Sequence, residues 1–558
     1  MIPKLFNQES KTIAGAAFII GASAVLSRAL GLIRDRLLVS RFALGDSLDA
    51  YYASFQVPNF IFALLVLGTL SVAFIPVFTG YLARGQREEA WRMTDGILAI
   101  VISTMGALCL ALSFGAHWIV PFIAPGYAGE KLAMTIALTR VMMLSPFFFA
   151  LSAVFSSVLN SMRRFLVVSL APLFYNASII FGIVVLSKPF GIMGVAYGAV
   201  LGAILHLGVQ IPAVAALGWR ARLRFDAGHA GVREVGRLFL PRVFGIDISQ
   251  ISLFVGTSIG TTFGVGAPAI FNLATNIAFV PVGSIAIPFA IASFPNLSEA
   301  IARDDREGFV RTFASTFRQM LFFLFPLSAL AVVLRLHVVR IVIGAKGLSW
   351  GETRLAAACF ALFAASLALQ GLTPLLARAF YALKNTLIPV AVSAAAVTAE
   401  ILLIFSFKAW TSSSAGASAA WLWLGLYGID DVRVLSLPAA FSLASFFQVA
   451  LLILILRRKF GPIGGTGLFK AFGKFLLGSL AAAWVAARVV MPFLPTLDTR
   501  DFLAVFGDAA LASLAGFAAY FLVLWILRSD ELFVALGTLR RRFLRVDRPL
   551  AMSDAQEM

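Results

Sequence analysis

Long apolar runs recur from one end of this sequence to the other, and they constrain the fold more than any other feature. Many reach about 20 residues, the length that an α-helix needs to cross a lipid bilayer. They account for a chain that is 60% hydrophobic and only 13% charged, whereas about a quarter of the residues in a soluble protein are charged. The short alternating segments of a transmembrane barrel are absent. The sequence therefore predicts an all-α polytopic membrane protein.

The runs predict about fourteen transmembrane helices. The predicted spans are 12–40, 47–83, 92–122, 131–160, 164–187, 190–217, 234–262, 266–301, 309–338, 352–382, 386–409, 434–458, 470–494 and 501–528. An even number of spans places both ends of the chain on the same side of the membrane.

Basic residues concentrate in alternate connections between the runs. They are frequent at 84–92, 219–237 and 303–311, and sparse at 121–131 and 261–269. Because short cytoplasmic loops carry an excess of Lys and Arg, this bias predicts that both termini lie in the cytoplasm. The bias also accounts for the net charge of +18, so the basic residues do not indicate a nucleic-acid partner.

The chain contains internal repeats. FALGDSLDAYYASF (42–55) is similar to FGVGAPAIFNLATN (263–276), and residues 146–172 are similar to 364–389. Residues 73–92 are also similar to 293–311, where the matched arginines are Arg84 with Arg303, Arg87 with Arg306, and Arg92 with Arg311. An even number of predicted spans separates the copies, so the two halves share one orientation, as in transporters with parallel repeats.

The repeats predict two six-helix lobes that are related by a parallel pseudo-twofold axis and face each other across a cleft. We expect an N-terminal lobe at 1–217, a cytoplasmic linker at 218–236, a C-terminal lobe at 237–458 with an outer loop at 410–434, two further helices at 459–528 and a cytoplasmic tail at 529–558.

The usual motifs for nucleotide hydrolysis, metal-dependent hydrolysis and redox chemistry are absent. The sequence has no Walker A, HExxH, CxxC or GxGxxG dinucleotide-binding pattern. Cys109 and Cys359 both lie inside apolar runs, and the four histidines are scattered, so neither a metal site nor another cofactor is predicted. We expect a transporter and not an enzyme.

The stretch SRALGLIRDRLLVSRFALGDSLDAYYASFQVPN (27–59), followed by LSVAFIPVF (70–78), resembles the start of the MurJ (MviN) family of lipid II flippases. That family belongs to the multidrug/oligosaccharidyl-lipid/polysaccharide exporter superfamily. Residues 158–180 and 375–390 also resemble family segments, and the resemblance covers nearly the whole chain.

The resemblance implies a function in cell-wall biogenesis at the bacterial inner membrane. Members of the family move undecaprenyl-diphosphate-linked disaccharide-pentapeptide, called lipid II, from the cytoplasmic to the outer leaflet by alternating access. The family also implies a cationic central cavity near the lobe interface and a groove for the lipid tail beside the last two helices. The implied partners are this lipid-linked cargo and the bilayer.

The candidate cargo-binding residues follow from the matched motif. They are Ser27, Arg28, Arg34, Asp35, Asp49 and Asn59. At 3.6 residues per turn, Arg28, Arg34 and Asp35 fall within one broad face of a helix. Two guanidinium groups on one face suit a diphosphate, and Asp35 or Asp49 would hold an arginine in place between cargoes. The alternative is that Arg34 to Arg36 form an interfacial helix end whose side chains reach toward the headgroups.

The sequence departs from the family pattern at later positions. Phe62 and Leu67 stand where a basic and an acidic residue are expected, and Thr275 and Asn276 stand where an Asp-Arg pair is typical. A diphosphate is best held by several arginines, so either Arg28 and Arg34 suffice or the cargo or its binding differs. The alternatives are an exporter of another polysaccharide-lipid or amphiphile, and a non-transporting cell-wall scaffold.

Two acids stand alone within apolar runs. Asp247 has Ser249, Gln250 and Ser252 beside it, which makes it a candidate ligand of a coupling cation; the alternative is that Asp247 and Glu400 are buried acids with local partners. The sequence leaves the driving force open between the membrane potential, Na⁺, H⁺ and consumption of the cargo downstream.

Overall fold

The computed structural model describes nine stretches of the chain. They are 13–65, 69–222, 225–226, 228–243, 248–344, 348–429, 431–463, 465–493 and 502–544. Within these stretches the chain consists of α-helices, with short π- and 3₁₀-helical segments and connections, and contains no strand. The prediction of an all-α protein is confirmed.

The chain divides into two compact units. The first comprises Met1–Val280, Arg335–Phe363 and Asn385–Leu451, and the second comprises Pro281–Leu334, Ala364–Lys384 and Leu452–Met558. These units reflect contacts in the folded chain, whereas the predicted lobes, linker and tail reflect the internal repeat. The lobe division therefore stays a prediction.

Most of the helices lie wholly or mainly in the first unit. They are Ile13–Phe42, Asp46–Ser54, Gln56–Leu65, Thr69–Ala83, Arg87–Phe114, Ala116–Ile123, Gly129–Met142, Leu144–Ser161, Phe165–Phe181, Ser187–Phe190, Ile192–Gly208, Ile211–Ala216, Ala230–Val243, Ile248–Gly260, Ala267–Pro281, Arg335–Ile343, Trp350–Ala365, Leu387–Thr411, Ser414–Leu424 and Ser436–Phe460, with the π-helical segment Gly182–Leu186 and the 3₁₀ turn Arg433–Leu435.

The second unit contains the remaining helices. They are Ile287–Ala302, Arg306–Val333, Leu367–Ala382, Gly465–Trp484, Phe502–Ile526 and Asp530–Leu544, with the π-helical segments Val282–Ala286 and Val485–Val490 and the 3₁₀ turn Met491–Phe493.

Ten helices in the described stretches are long and apolar enough to cross a membrane, and the count reaches eleven if Trp350–Ala365 and Leu367–Ala382 form one span. The predicted count of fourteen is not confirmed. The predicted spans 12–40, 47–83 and 234–262 are not among the ten or eleven. Region 47–83 contains three shorter helices, and region 234–262 includes residues 244–247, which lie outside the described residues between the helices Ala230–Val243 and Ile248–Gly260.

Close backbone contact in the first unit fixes the helix that carries Asn176, a residue of the site described below. A β-carbon at Gly198 would lie 2.8 Å from the carbonyl oxygen of Ser178, and one at Gly202 would lie 2.9 Å from that of Tyr175. Small residues allow membrane helices to approach this closely. The helix Phe165–Phe181 is therefore held firmly against Ile192–Gly208.

The second unit is held together around Tyr520, whose ring is fully buried. Its hydroxyl donates a hydrogen bond to the carbonyl of Phe322 at 2.8 Å, which satisfies the polar end of a side chain that is otherwise apolar. A β-carbon at Gly478 would lie 2.9 Å from the Tyr520 ring. The helices Arg306–Val333, Gly465–Trp484 and Phe502–Ile526 thus pack on one another.

Candidate functional site

The helix Ile13–Phe42 carries most of the predicted site. Its sequence has no proline and is rich in Ala, Leu and Ile, so a long continuous helix is favoured. The helix ends at Phe42, where Ala43 takes a positive φ of 54°, a conformation that breaks a right-handed helix. Ser27, Arg28, Arg34 and Asp35 therefore project from one rigid element.

Arg34 and Asp35 form an ion pair. The Nε and Nη2 atoms of Arg34 lie 2.9 and 2.7 Å from Oδ1 of Asp35. The Asp35 side chain is 4% exposed and that of Arg34 is 22% exposed. A buried carboxylate needs such a partner, so Asp35 fixes the direction of the guanidinium.

Asn176 joins this pair to Ser27. The Nη1 atom of Arg34 donates to Oδ1 of Asn176 at 3.3 Å, and Nδ2 of Asn176 donates to the hydroxyl oxygen of Ser27 at 3.2 Å. Asn176 is not among the residues predicted from the sequence. The available signal was an uncharged amide within the apolar run 165–181, where a side-chain amide needs a partner.

A third helix, Ala267–Pro281, reaches the same group through Asn276. Its Nδ2 atom donates a hydrogen bond to Oδ2 of Asp35 at 3.2 Å. The two oxygens of Asp35 thus accept from different donors, Arg34 on one side and Asn276 on the other. Ser27, Arg34, Asp35, Asn176 and Asn276 form one network, which we call the Asp35 network.

Arg28 lies on the same helix but differs from Arg34. Its side chain is partly buried, and no hydrogen bond or ion pair to the described part of the chain satisfies its guanidinium. A guanidinium carries five N–H donors and stays charged. Burial of such a group without a protein partner is costly, so Arg28 is available for an anion.

Asp49 lies in a different setting. Its carboxylate is fully buried and accepts from Nζ of Lys131 at 2.8 Å, and from the backbone N–H groups of Gly266 and Ala269 at 2.8 and 3.2 Å. Two of these donors lie at the N-terminus of the helix Ala267–Pro281, where a carboxylate is favourable. In the structure Asp35, and not Asp49, pairs with an arginine. Lys131 was missed because it lies 82 residues from Asp49 in sequence.

The other predicted positions lie apart from the Asp35 network or outside the described residues. Asn59 is exposed, and the ring of Phe62 packs against that of Phe149 with centroids 5.0 Å apart. Leu67 and Asp247 fall outside the described residues. Phe62, which replaces an expected basic residue, therefore contributes packing and not charge.

Glu400 has a local partner. The hydroxyl of Ser252 donates to Oε2 of Glu400 at 2.5 Å, and the Glu400 residue is 4% exposed. Ser252 belongs to the oxygen-rich patch noted beside Asp247. Across the described stretches no group of three or more His, Cys, Asp or Glu side chains is arranged to hold a metal ion.

Comparison with known proteins identifies the family of the chain. The family model described as lipid II flippase MurJ matches residues 39–503, beginning after Arg34 and Asp35. A probable lipid II flippase MurJ of Vibrio cholerae is 26% identical over 75% of this chain and 83% of its own length. One of Rhizobium tropici is 25% identical over 85% of this chain and 93% of its own length.

Solved structures show the same fold. Lipid II flippase MurJ in an inward closed conformation matches with a TM-score of 0.71 and 22% identity, covering 91% of this chain and 99% of that protein. An inward-facing multidrug resistance transporter of the MATE family and the MOP superfamily matches with a TM-score of 0.60 and 14% identity, covering 79% of this chain and 96% of the transporter. The family match spans most of the chain, and the ten or eleven apolar helices make it a multi-pass protein of the bacterial inner membrane. The chain belongs to the MurJ family of lipid II flippases.

Proposed function

We propose that this chain moves lipid II from the cytoplasmic to the outer leaflet of the bacterial inner membrane by alternating access. Family membership over residues 39–503 supports this activity, and the charge bias of the connections supports cytoplasmic termini. The function is transport and not catalysis, because lipid II changes leaflet and is not converted chemically. The cargo then serves peptidoglycan synthesis and cell-wall biogenesis.

The contrast between Arg28 and Arg34 is the observation that carries the proposal. Arg28 lacks a partner in the described stretches, so the first phosphate can bind it without displacing a protein group. Arg34 is held by Asp35 and Asn176, so it is oriented before the cargo arrives. Arginine forks match phosphate oxygens in pairs, and we assign the diphosphate to these two arginines, with the Ser27 hydroxyl as a further donor.

Asn276 lowers the cost of releasing Arg34 from Asp35. When Arg34 turns toward a phosphate, the amide of Asn276 still donates to Oδ2 of Asp35. A buried carboxylate that lost every donor would be strongly disfavoured. Asn276 therefore keeps Asp35 partly satisfied in the loaded state. Asp49 and Asn59 belong to the proposed site only in a further state of the cycle, in which their present surroundings have changed.

A second candidate is export of a different polysaccharide-lipid or amphiphile. Phe62 packs on Phe149 and Asn276 donates a neutral hydrogen bond, whereas charges are expected at both positions. The proposed site thus has fewer cationic groups for a diphosphate. A cargo with one phosphate would be held by Arg28 and Arg34 alone. A cell-wall scaffold without transport is the remaining alternative.

Charge movement offers a driving force. The membrane potential supplies about 2.3 kcal/mol per elementary charge per 100 mV, and a ligand shifts the two conformations only by its differential affinity for them. Asp247 remains our candidate ligand of a coupling cation. Glu400 already has a protein partner, because it accepts a hydrogen bond from Ser252. Transport into vesicles with an imposed potential, and separately with an imposed Na⁺ or H⁺ gradient, distinguishes these sources.

The test is rescue of a bacterium depleted of its own lipid II flippase. The chain is expressed in that host, and delivery of lipid II to the outer leaflet is measured together with growth. Growth with outward delivery supports the proposal. Correct membrane expression without either result excludes lipid II as cargo and leaves the second candidate and the scaffold.

A further inference from the structure

A basic pocket of about 420 Å³ opens on the second unit. Three arginines line it: Arg306 and Arg311 on the first turns of the helix Arg306–Val333, and Arg318 two turns further on. None of them belongs to the Asp35 network. Ligand sites commonly have volumes of about 300–1,000 Å³, so the pocket can hold a small polar headgroup.

The internal repeat allows these arginines to be compared with their counterparts in the first copy. Arg306 matches Arg87 and Arg311 matches Arg92. In the first copy both arginines are satisfied by the protein: Arg87 donates to the carbonyl of Leu217 at 2.6 Å, and Arg92 donates to Oε1 of Glu89 at 2.9 Å. The same sequence positions thus have internal partners in one copy.

The second copy has lost these partners. The residue that matches Glu89 is Gly308, so the acid beside Arg92 has no equivalent beside Arg311. The described stretches contain no hydrogen bond or ion pair to the guanidinium of Arg306 or Arg311. The alternative acid, Glu307, also lines the pocket, but it forms no ion pair with either arginine. The two guanidinium groups remain open to an external anion.

The rest of the pocket suits an ester more than a bare ion. Arg318 is directed by Glu531, whose Oε1 lies 3.1 Å from its Nε. Val310 and Ala314 supply an apolar wall, and Phe460, stacked on Phe309 with ring centroids 4.6 Å apart, also lines the pocket. An apolar wall beside paired arginines fits the carbon skeleton and the phosphate of one molecule.

We propose that this pocket binds a phosphate ester, with Arg306 and Arg311 on the phosphate oxygens and the Phe460 side against the glycerol carbons. The connections at 303–305 and 461–464 lie on the side that the charge bias predicts to be cytoplasmic. Basic pockets at that level attract anionic lipid headgroups. The same chemistry would accept a soluble glycerol phosphate, and the experiment separates the two sources.

The experiment is a titration of the delipidated full-length chain with phosphatidylglycerol, read by native mass spectrometry. The double variant Arg306→Gln with Arg311→Gln should bind the lipid roughly tenfold more weakly, as expected when charged hydrogen bonds to phosphate are lost. The matched control is Arg87→Gln with Arg92→Gln, which removes the same charge from the first copy and should leave the affinity within about twofold. A parallel titration with phosphatidylcholine checks that the anionic charge matters.

Equal affinity of the wild type and the double variant would overturn the proposal, and so would an equal loss in both double variants. Glycerol 3-phosphate is then added as a competitor. If glycerol 3-phosphate displaces the lipid at matching concentrations, the ligand of the pocket is a soluble ester. If the lipid stays bound, the ligand is the lipid. If the double variant does not fold, Arg311→Gln alone is used, because its exposed side chain makes no contact that folding requires; we expect a roughly threefold loss from one arginine.

Discussion

Asn276 donates a hydrogen bond to Oδ2 of Asp35 across 3.2 Å, while Arg34 holds the other oxygen of the same carboxylate. The position where a charge is expected thus carries a neutral donor, and Asp35 stays available to Arg34. An arginine at 276 would compete for this carboxylate. The neutral amide leaves the Arg34–Asp35 pair intact and lowers the positive charge of the site.

Loss of the Asn276 amide should weaken transport without unfolding the chain. We expect Asn276→Ala to lower lipid II delivery by at least roughly tenfold, the effect of one hydrogen bond to a charged group. Asn276→Asp should be worse, because it places a second carboxylate against Asp35. Asn272→Ala is the control: Asn272 lies one turn earlier and bonds to Thr257 and Pro268 instead. Equal loss in both alanine variants would contradict this role.

Truncation of Arg28 should have the largest effect on cargo binding. Arg28→Ala removes the guanidinium that has no protein partner in the described stretches, so we expect transport to fall about 10- to 100-fold with an unchanged melting temperature. Arg28→Lys should retain part of the activity, because it keeps the charge but not the fork. Arg303→Ala, at a side chain 74% exposed, is the control. Normal growth of the depleted host on Arg28→Ala would show that the diphosphate binds elsewhere.

Asp49 should matter for stability. Asp49→Ala leaves two backbone amides and Lys131 without this acceptor, and loss of one partner of a buried pair costs about 3–5 kcal/mol. Asp46→Asn removes the other, 57% exposed partner of Lys131 and should cost at most about 1 kcal/mol. Thermal unfolding of the detergent-solubilised proteins measures both. Similar melting temperatures for the two variants would show that the burial of Asp49 does not make it more important for stability than the exposed Asp46.

A methyl group at Gly126 should disrupt a contact in the first unit. Its β-carbon would lie 1.9 Å from the carbonyl oxygen of Thr261, whereas a β-carbon at Gly208 would meet nothing within 4 Å. We expect Gly126→Ala to destabilise the protein by about 1–3 kcal/mol, as overpacking does, and Gly208→Ala to be neutral or slightly stabilising. Thermal unfolding compares them, and a neutral Gly126→Ala would mean that the two segments can separate freely.

Local patterns predicted what depends on neighbours in sequence. The apolar runs predicted the all-α fold, and helical spacing placed Arg34 and Asp35 on one element. The count of fourteen spans is not confirmed: ten or eleven helices among the described residues are long and apolar enough. Region 47–83, which was predicted as one span, is interrupted at Phe55. The residues on both sides of the break are apolar, so the apolar pattern of the sequence does not reveal the break.

Partners distant in sequence could not be predicted. Asn176 lies 142 residues from Arg34, and Asn276 lies 241 residues from Asp35. Both are uncharged, and an amide in an apolar run signals only that it needs a partner, not which one. The role of Asp49 was hidden in the same way, since two of its donors are backbone groups that exist only once the helix Ala267–Pro281 has formed.

The contact of Asp49 with Gly266 and Ala269 fastens the first copy of a repeat to the second, since 42–55 matches 263–276. Symmetry would require a reciprocal contact, but the residue that matches Asp49 is Ile270, which has no acceptor to offer. These hydrogen bonds between the two copies therefore run in one direction only, and a single carboxylate, that of Asp49, accepts them. The two copies of the repeat therefore have different roles at this contact: one supplies the acceptor and the other supplies the donors. If the transport cycle separates these segments, the buried carboxylate of Asp49 loses its two backbone donors, and Lys131 is the charged partner that can stay with it.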